Sequence, residues 1–167
     1  MDPDSLEPFV RFHAWANGRI LETASALSDE EFRGPAPLDH GTAFDTLRHL
    51  VDVDWSWREF CTGNDVGQTY VWDHGVDVDD LRSITVFCAE EDARLARYVR
   101  SLEPAALAER LRLGDDPADS VPRWLIVAHV VNHGTQHRSE MARYMTERGH
   151  SPGDLDLLDA FTLPPVG

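Results

Sequence analysis

Apolar residues return at steps of three and four through four long stretches of this chain, and almost nowhere do they alternate. That period lines one face of an α-helix, whereas a half-buried strand needs a period of two. The first stretch runs from about Leu6 to Leu27, with Phe9, Phe12, His13, Ala16, Ile20 and Ala24 on one side, and Ser28-Asp29-Glu30-Glu31 and Gly34-Pro35-Ala36-Pro37 stop it. The second runs from about Thr42 to Cys61, with Asp45 placed to support a Thr42 cap and Gly63-Asn64 at its end. The third, from about Asp79 to Leu102, is acidic at its start and carries Arg94, Arg97 and Arg100 at its end, the order a helix dipole favours. The fourth runs from about Pro122 to Arg148, with Gly149 as its stop. Four amphipathic helices in 167 residues predict an all-α protein, a four-helix bundle forming one domain over 1–167.

Two long connections separate the helices. The one after the second helix, from Asn64 to Gly75, is rich in Gly, Asp and aromatic residues. The one after the third, from Glu103 to Ser120, holds either a helical turn or a short strand at Leu107–Leu113 and then a turn. Leu155, Leu157, Leu158 and Phe161 in the tail are available to cover a bundle end.

Charge narrows the partners. Thirty acidic residues against fifteen basic ones give a net charge of −15, and every basic residue is Arg. Such a surface repels phosphate backbones, and there is no basic patch to offset it, so no nucleic-acid partner is expected. The same composition suits a high-salt cytoplasm or a GC-rich genome. No stretch approaches 18 uncharged apolar residues and Met1–Pro8 lacks an apolar leader core, so a cytoplasmic chain with no membrane span is expected. Cys61 and Cys88 form no CxxC pair and fall within apolar helical patterns, as buried reduced thiols do.

The chemistry-bearing feature is His129-x3-His133-x3-His137 on the fourth helix. Each step of four turns an α-helix by about 400° and rises about 6 Å, so neighbouring rings lie on one face and two can share a metal ion. Ile126, Val130, Met141 and Tyr144 share the direction of His133 and His137, which places that pair in the face turned into the bundle. A buried imidazole needs partners for both nitrogens, and a metal ion plus an acceptor behind the ring provides them. His129 is expected as a satisfied core residue or a neighbour of the ligands. His49 and His13, each on an apolar face, are the candidates for a third ligand. His40, His74 and His150 lie in connections and are expected in solvent.

These residues resemble the DinB-like superfamily of metal-binding four-helix bundles. Trp15-Ala16-Asn17-Gly18-Arg19-Ile20-Leu21 with Leu27-Ser28-Asp29-Glu30-Glu31-Phe32 is similar to the family's first helix and its exit. Thr46-Leu47-Arg48-His49-Leu50 is similar to the second, and His129 to Arg138 to the fourth, while Gly149 to Phe161 resembles the tail. The resemblance implies His49, His133 and His137 as ligands of a divalent ion such as zinc or nickel, and an up-down-down-up order of helices. It also implies, for some relatives, transfer of a low-molecular-weight thiol to a small-molecule substrate, and often a homodimer, for which Trp55 or Trp124 on an exposed face would serve. Glu140 stands where relatives often carry Gln.

Three classes of function follow: a metalloenzyme, either a thiol transferase or a hydrolase; a metal-dependent binding or stress-response module; and a plain interaction bundle. For an enzyme, Asp52, one turn from His49, and Glu140, one turn from His137, are the acid–base candidates, beside the ordinary alternative of solvated or ligand-orienting carboxylates. Tyr70, Trp72 and Trp57 are available either to form an aromatic wall around a substrate or to plug the bundle end.

Overall fold

The computed structural model describes residues 2–162 except 65 and 117, with the backbone but not the side chains of 160 and 161. Among the described residues there are six α-helices, of which four are long: α1 (Pro3–Ala24), α3 (Ala43–Cys61), α4 (Leu81–Ser101) and α6 (Arg123–Thr146). The short ones are α2 (Asp29–Arg33) and α5 (Pro104–Ala108). Strands β1 (Arg110–Arg112) and β2 (Ser120–Pro122) form an antiparallel pair with Leu111 opposite Val121, so the expected choice between a helical turn and a strand resolves into one of each.

Helix ends follow capping chemistry. Asp2 accepts a hydrogen bond from the Ser5 amide and Pro3 opens the first turn, which starts α1 three residues earlier than its apolar pattern. Thr42 accepts from the Asp45 amide at 2.9 Å, as expected. The Ser28–Glu31 segment was expected only as a stop. It is also a capping box, with Ser28 Oγ accepting from the Glu31 amide and Glu31 accepting from the Ser28 amide, and it starts α2.

The four long helices close a ring in which α1 packs against α4 and α6, and α3 against the same two. Along α3 and α4 the contacts climb together, from Arg48–Asp79 to Arg58–Glu91. Along α3 and α6 they run oppositely, His49 meeting His133 while the Cys61 carbonyl accepts from Arg123.

The interior is layered. At one end Ile20, Leu47, Val51, Ile84, Met141 and Met145 pack together. At the other Leu6, Val10, Leu95, Val99, Val127 and Val130 do so. Each such side chain contributes about 1.5–3 kcal/mol on burial. On α1, α4 and α6 the residues between these clusters are polar and buried: His13, Asn17, Asp92 and Arg138.

Several surface expectations change. Trp55 is only 7% exposed and belongs to the core, so it offers no face to a second chain. Trp124 is partly buried against the second cluster. In the tail Leu155 packs on the core, but Leu158 is 71% exposed; the Phe161 side chain lies outside the described residues. Tyr70 and Trp72 stack on each other at 4.5 Å, with Arg48 over the Trp72 ring at 3.8 Å. Trp57 pairs instead with Phe60 and His129. No described helix is long and apolar enough to cross a membrane.

Candidate metal centre

Three imidazoles meet where α3 faces α6. His49 Nε2 lies 3.1 Å from His133 Nε2, and His133 Nε2 lies 3.2 Å from His137 Nε2. Two ligands at the usual zinc–nitrogen length of about 2.0–2.1 Å, spread at a tetrahedral angle, stand about 3.3 Å apart. The His49–His133 and His133–His137 separations are each close to that value. The local reasons are plain: the i, i+4 step stacks His133 and His137 on one face of α6, and Leu47, Leu50 and Val51 bury α3 so that His49 is held opposite.

The protons are arranged to match. His137 Nδ1 stands 3.3 Å from Glu140 Oε2. An ionised carboxylate only accepts, so Nδ1 carries the hydrogen and the Nε2 lone pair faces the cluster. Burial, followed by the neighbouring imidazoles, pushes His49 down to about 4. Burial and His137 do the same to His133, also to about 4. Both rings are thus neutral near pH 7, the state a metal ligand needs. His133 Nδ1 is buried without a hydrogen-bond partner, so this ring is not held as a doubly bonded core histidine would be.

His40 corrects the expectation that it is solvated. It is half-buried and lies flat on His49, centroids 3.9 Å apart and planes 27° apart. Ligand nitrogens of His40, His49 and His137 all fall within 4.8 Å of one another, so His40 joins the cluster as a fourth imidazole. The loop before α3 carries it there: buried Leu38 anchors the loop, the Gly41 amide bonds the Leu38 carbonyl at 2.9 Å, and Gly41 takes φ +80°. An apolar residue inside a Pro- and Gly-rich loop was the available signal.

His129 is exposed, not a core residue; its ring stands edge-on to Trp57 at 5.4 Å and 6.0 Å from the His133 ring. His74 is exposed as expected, and its Nε2 lies 2.8 Å from Thr69 Oγ1, while His150 is half-buried. Asp52 is buried and accepts the Val71 amide at 2.7 Å, with its pKa raised by burial. That carboxylate ties the 3-10 turn Val71–His74 to α3. Both cysteines are buried and free; burial lifts the Cys61 thiol to about 11 and Cys88 well above its usual value.

His13 sits in a second buried group that sequence reasoning missed. Its Nε2 is 2.9 Å from Asp54 Oδ2 and 3.7 Å from Asp92 Oδ1, and by distance these three residues can hold a metal ion. The hydrogen bonds point to another use. Arg138 Nη1 lies 3.0 Å from His13 Nδ1, and a guanidinium only donates, so Nδ1 accepts and Nε2 carries the proton toward Asp54. Arg138 also donates to Asn17 Oδ1 at 2.7 Å, and Asn17 donates to Asp92 at 3.0 Å. One buried cation stands near the two carboxylates, and with Nδ1 accepting from Arg138, ligation through Nε2 would require an imidazolate. Gly134 makes the arrangement fit: a Cβ there would lie 2.5 Å from Arg138 Nη1 and 2.8 Å from His13 Cε1.

A helical bundle with clustered imidazoles between its second and fourth long helices defines the class, and a family model agrees: that of the DinB family matches residues 3–163, and the chain belongs to this family. No curated protein matches it.

Proposed function

We propose that this DinB-family chain binds a divalent ion, zinc or nickel, through His49, His133 and His137, and acts as a low-molecular-weight thiol S-transferase on small electrophiles. The convergence of the three Nε2 atoms at 3.1 and 3.2 Å carries the reading. Three neutral imidazoles leave the ion its full charge and a coordination position free. When bound there, the ion supplies the Lewis acidity that lowers the pKa of a thiol or water beside it.

The chain's own residues do the rest. His49 and His133 are kept unprotonated by burial, and Glu140 fixes the tautomer of His137. Of the two carboxylates singled out in the sequence, Glu140 is the working one, because Asp52 is engaged by the Val71 amide. Cys61 and Cys88 are buried and held protonated, so the attacking sulfur comes from a cosubstrate. Its thiolate forms the new carbon–sulfur bond as the carbon–leaving-group bond breaks, and the leaving group departs with the electron pair.

The test is a screen of metal-loaded protein with several low-molecular-weight thiols against a haloalkane, an activated aryl chloride and an ester. Transfer is expected that vanishes on chelation and in His133→Ala but survives Cys61→Ser and Cys88→Ser. Ester hydrolysis without thiol transfer would favour a metal-dependent hydrolase. Background rates throughout, with metal still bound, would favour a non-catalytic binding or stress-response module.

A further inference from the structure

One turn of α6 before His133, the bundle carries an apolar cavity of about 530 Å³ where the β1–β2 hairpin leans on α6. Trp57, Leu113, Val121, Leu125, Ile126 and Ala128 form its wall, completed by His129 and Asn132. Leu113 and Leu125 are 47% and 40% exposed, so their apolar surface is open to a ligand. Ile126 lies seven residues before His133, a spacing that returns to nearly the same direction on an α-helix about 10 Å further along. Ile126 and the His129 ring, 6.0 Å from that of His133, therefore lead from the cavity wall along α6 toward the histidine cluster.

We propose that this cavity holds the body of the substrate, and that the substrates are uncharged, hydrophobic molecules of two or three rings or the equivalent chain. Size supports this: a cavity of about 150 Å³ takes benzene, and small-molecule sites run from about 300 to 1,000 Å³. Charge supports it too. Among the described residues no Arg, Asp or Glu side chain is in the wall, so a charged ligand would lose its hydration without a partner. The apolar end lies against Trp57 and Leu125, and the reacting end points past His129 toward His133. The inference rests on the transferase reading only for the statement that the ligand reacts.

The experiment separates the two. Binding of the neutral fluorophore N-phenyl-1-naphthylamine is measured on the full chain, with and without metal, and competed with straight-chain alcohols of increasing length. Wild type is expected to bind one fluorophore equally well in both states. Each added methylene should tighten the competing alcohol about fourfold until the cavity is full. Ala128→Trp, which puts an indole ring into the cavity, and Leu125→Asp, at an exposed position that leaves the core intact, should each weaken binding at least tenfold. Unchanged binding in both variants, or none in wild type, overturns the proposal. Binding that behaves as described while every electrophile fails to react upholds the cavity as a ligand site and sinks the transferase reading instead.

Discussion

His49 and His133 are 84 residues apart in the chain, yet their Nε2 atoms stand 3.1 Å apart across the α3–α6 contact. His133 Nε2 has one proton or one lone pair to offer, yet it faces both His49 Nε2 and, at 3.2 Å, His137 Nε2, so the two contacts cannot both be full hydrogen bonds. A cation removes that conflict. The consequences reach into acid sensitivity, the packing of α6 and the role of Glu140.

Acid should strip metal late. A free imidazole begins to win protons from a metal below its ordinary value near 6.5. Here burial lowers His49 and His133 to about 4, so protons compete poorly until the pH approaches that value. Bound metal is expected to stay nearly constant from pH 7 to 5 and to fall towards pH 4. The metal-free chain should lose stability over the interval between 6.5 and 4, because the unfolded state takes up protons there while the folded state does not. Equilibrium dialysis against pH, paired with urea unfolding of the metal-free protein, measures both. Metal loss complete by pH 6 would contradict the burial argument.

Gly134 and Gly18 should respond oppositely to alanine. Both lie within helices, where alanine is favoured over glycine by about 1 kcal/mol. A Cβ at Gly18 has nothing within 4 Å, so Gly18→Ala should gain up to about that amount. At Gly134 the new methyl meets Arg138 and His13, both buried and mutually bonded, and overpacking of this kind costs about 1–3 kcal/mol. Gly134→Ala should therefore be destabilised by up to about 2 kcal/mol in urea denaturation, the clash minus the helix gain. A stabilised Gly134→Ala would show that the His13–Arg138 pair does not need the bare backbone.

Glu140 should act on the metal through His137. Glu140→Gln offers the His137 Nδ1–H a neutral acceptor, and Glu140→Ala offers none. Groups that orient a ligating imidazole are worth about 10–100-fold in metal affinity. Isothermal titration with zinc should give the order wild type, Glu140→Gln, Glu140→Ala, with folding unchanged. Equal affinities for all three would remove Glu140 from the site.

The sequence made the long helices legible because their apolar period is local and strong, and the Thr42 cap followed from adjacent residues. The His133–His137 step was legible for the same reason. What stayed hidden depends on residues distant in the chain. His13 meets Asp54 41 positions away, and Asn17 meets Asp92 75 positions away; carboxylates on helices are ordinarily solvated, so nothing local marked these two as interior. His40 was placed in solvent because its segment is rich in Pro and Gly, yet Leu38 pins that loop and folds the ring onto His49. His129 carries the same spacing as its partners, but its side of α6 faces the cavity under the hairpin, while Val127 and Val130 at the same level face packed core. Periodicity fixes which face a residue is on, not what lies opposite.

The most direct measurement is the metal-to-chain ratio of protein purified without an affinity tag or chelator, determined by elemental mass spectrometry across a set of histidine variants. One divalent ion per chain is expected in wild type, in His74→Ala and in His129→Ala, and less than about a tenth of that in His49→Ala, His133→Ala or His137→Ala, since a chelate that loses one of three ligands binds far more weakly. His40→Ala, whose ring lies against His49, should keep the ion but weaken its hold. Full metal content in His133→Ala together with loss in His13→Ala or Asp92→Asn would contradict the account and place the ion in the buried His13–Asp54–Asp92 group instead.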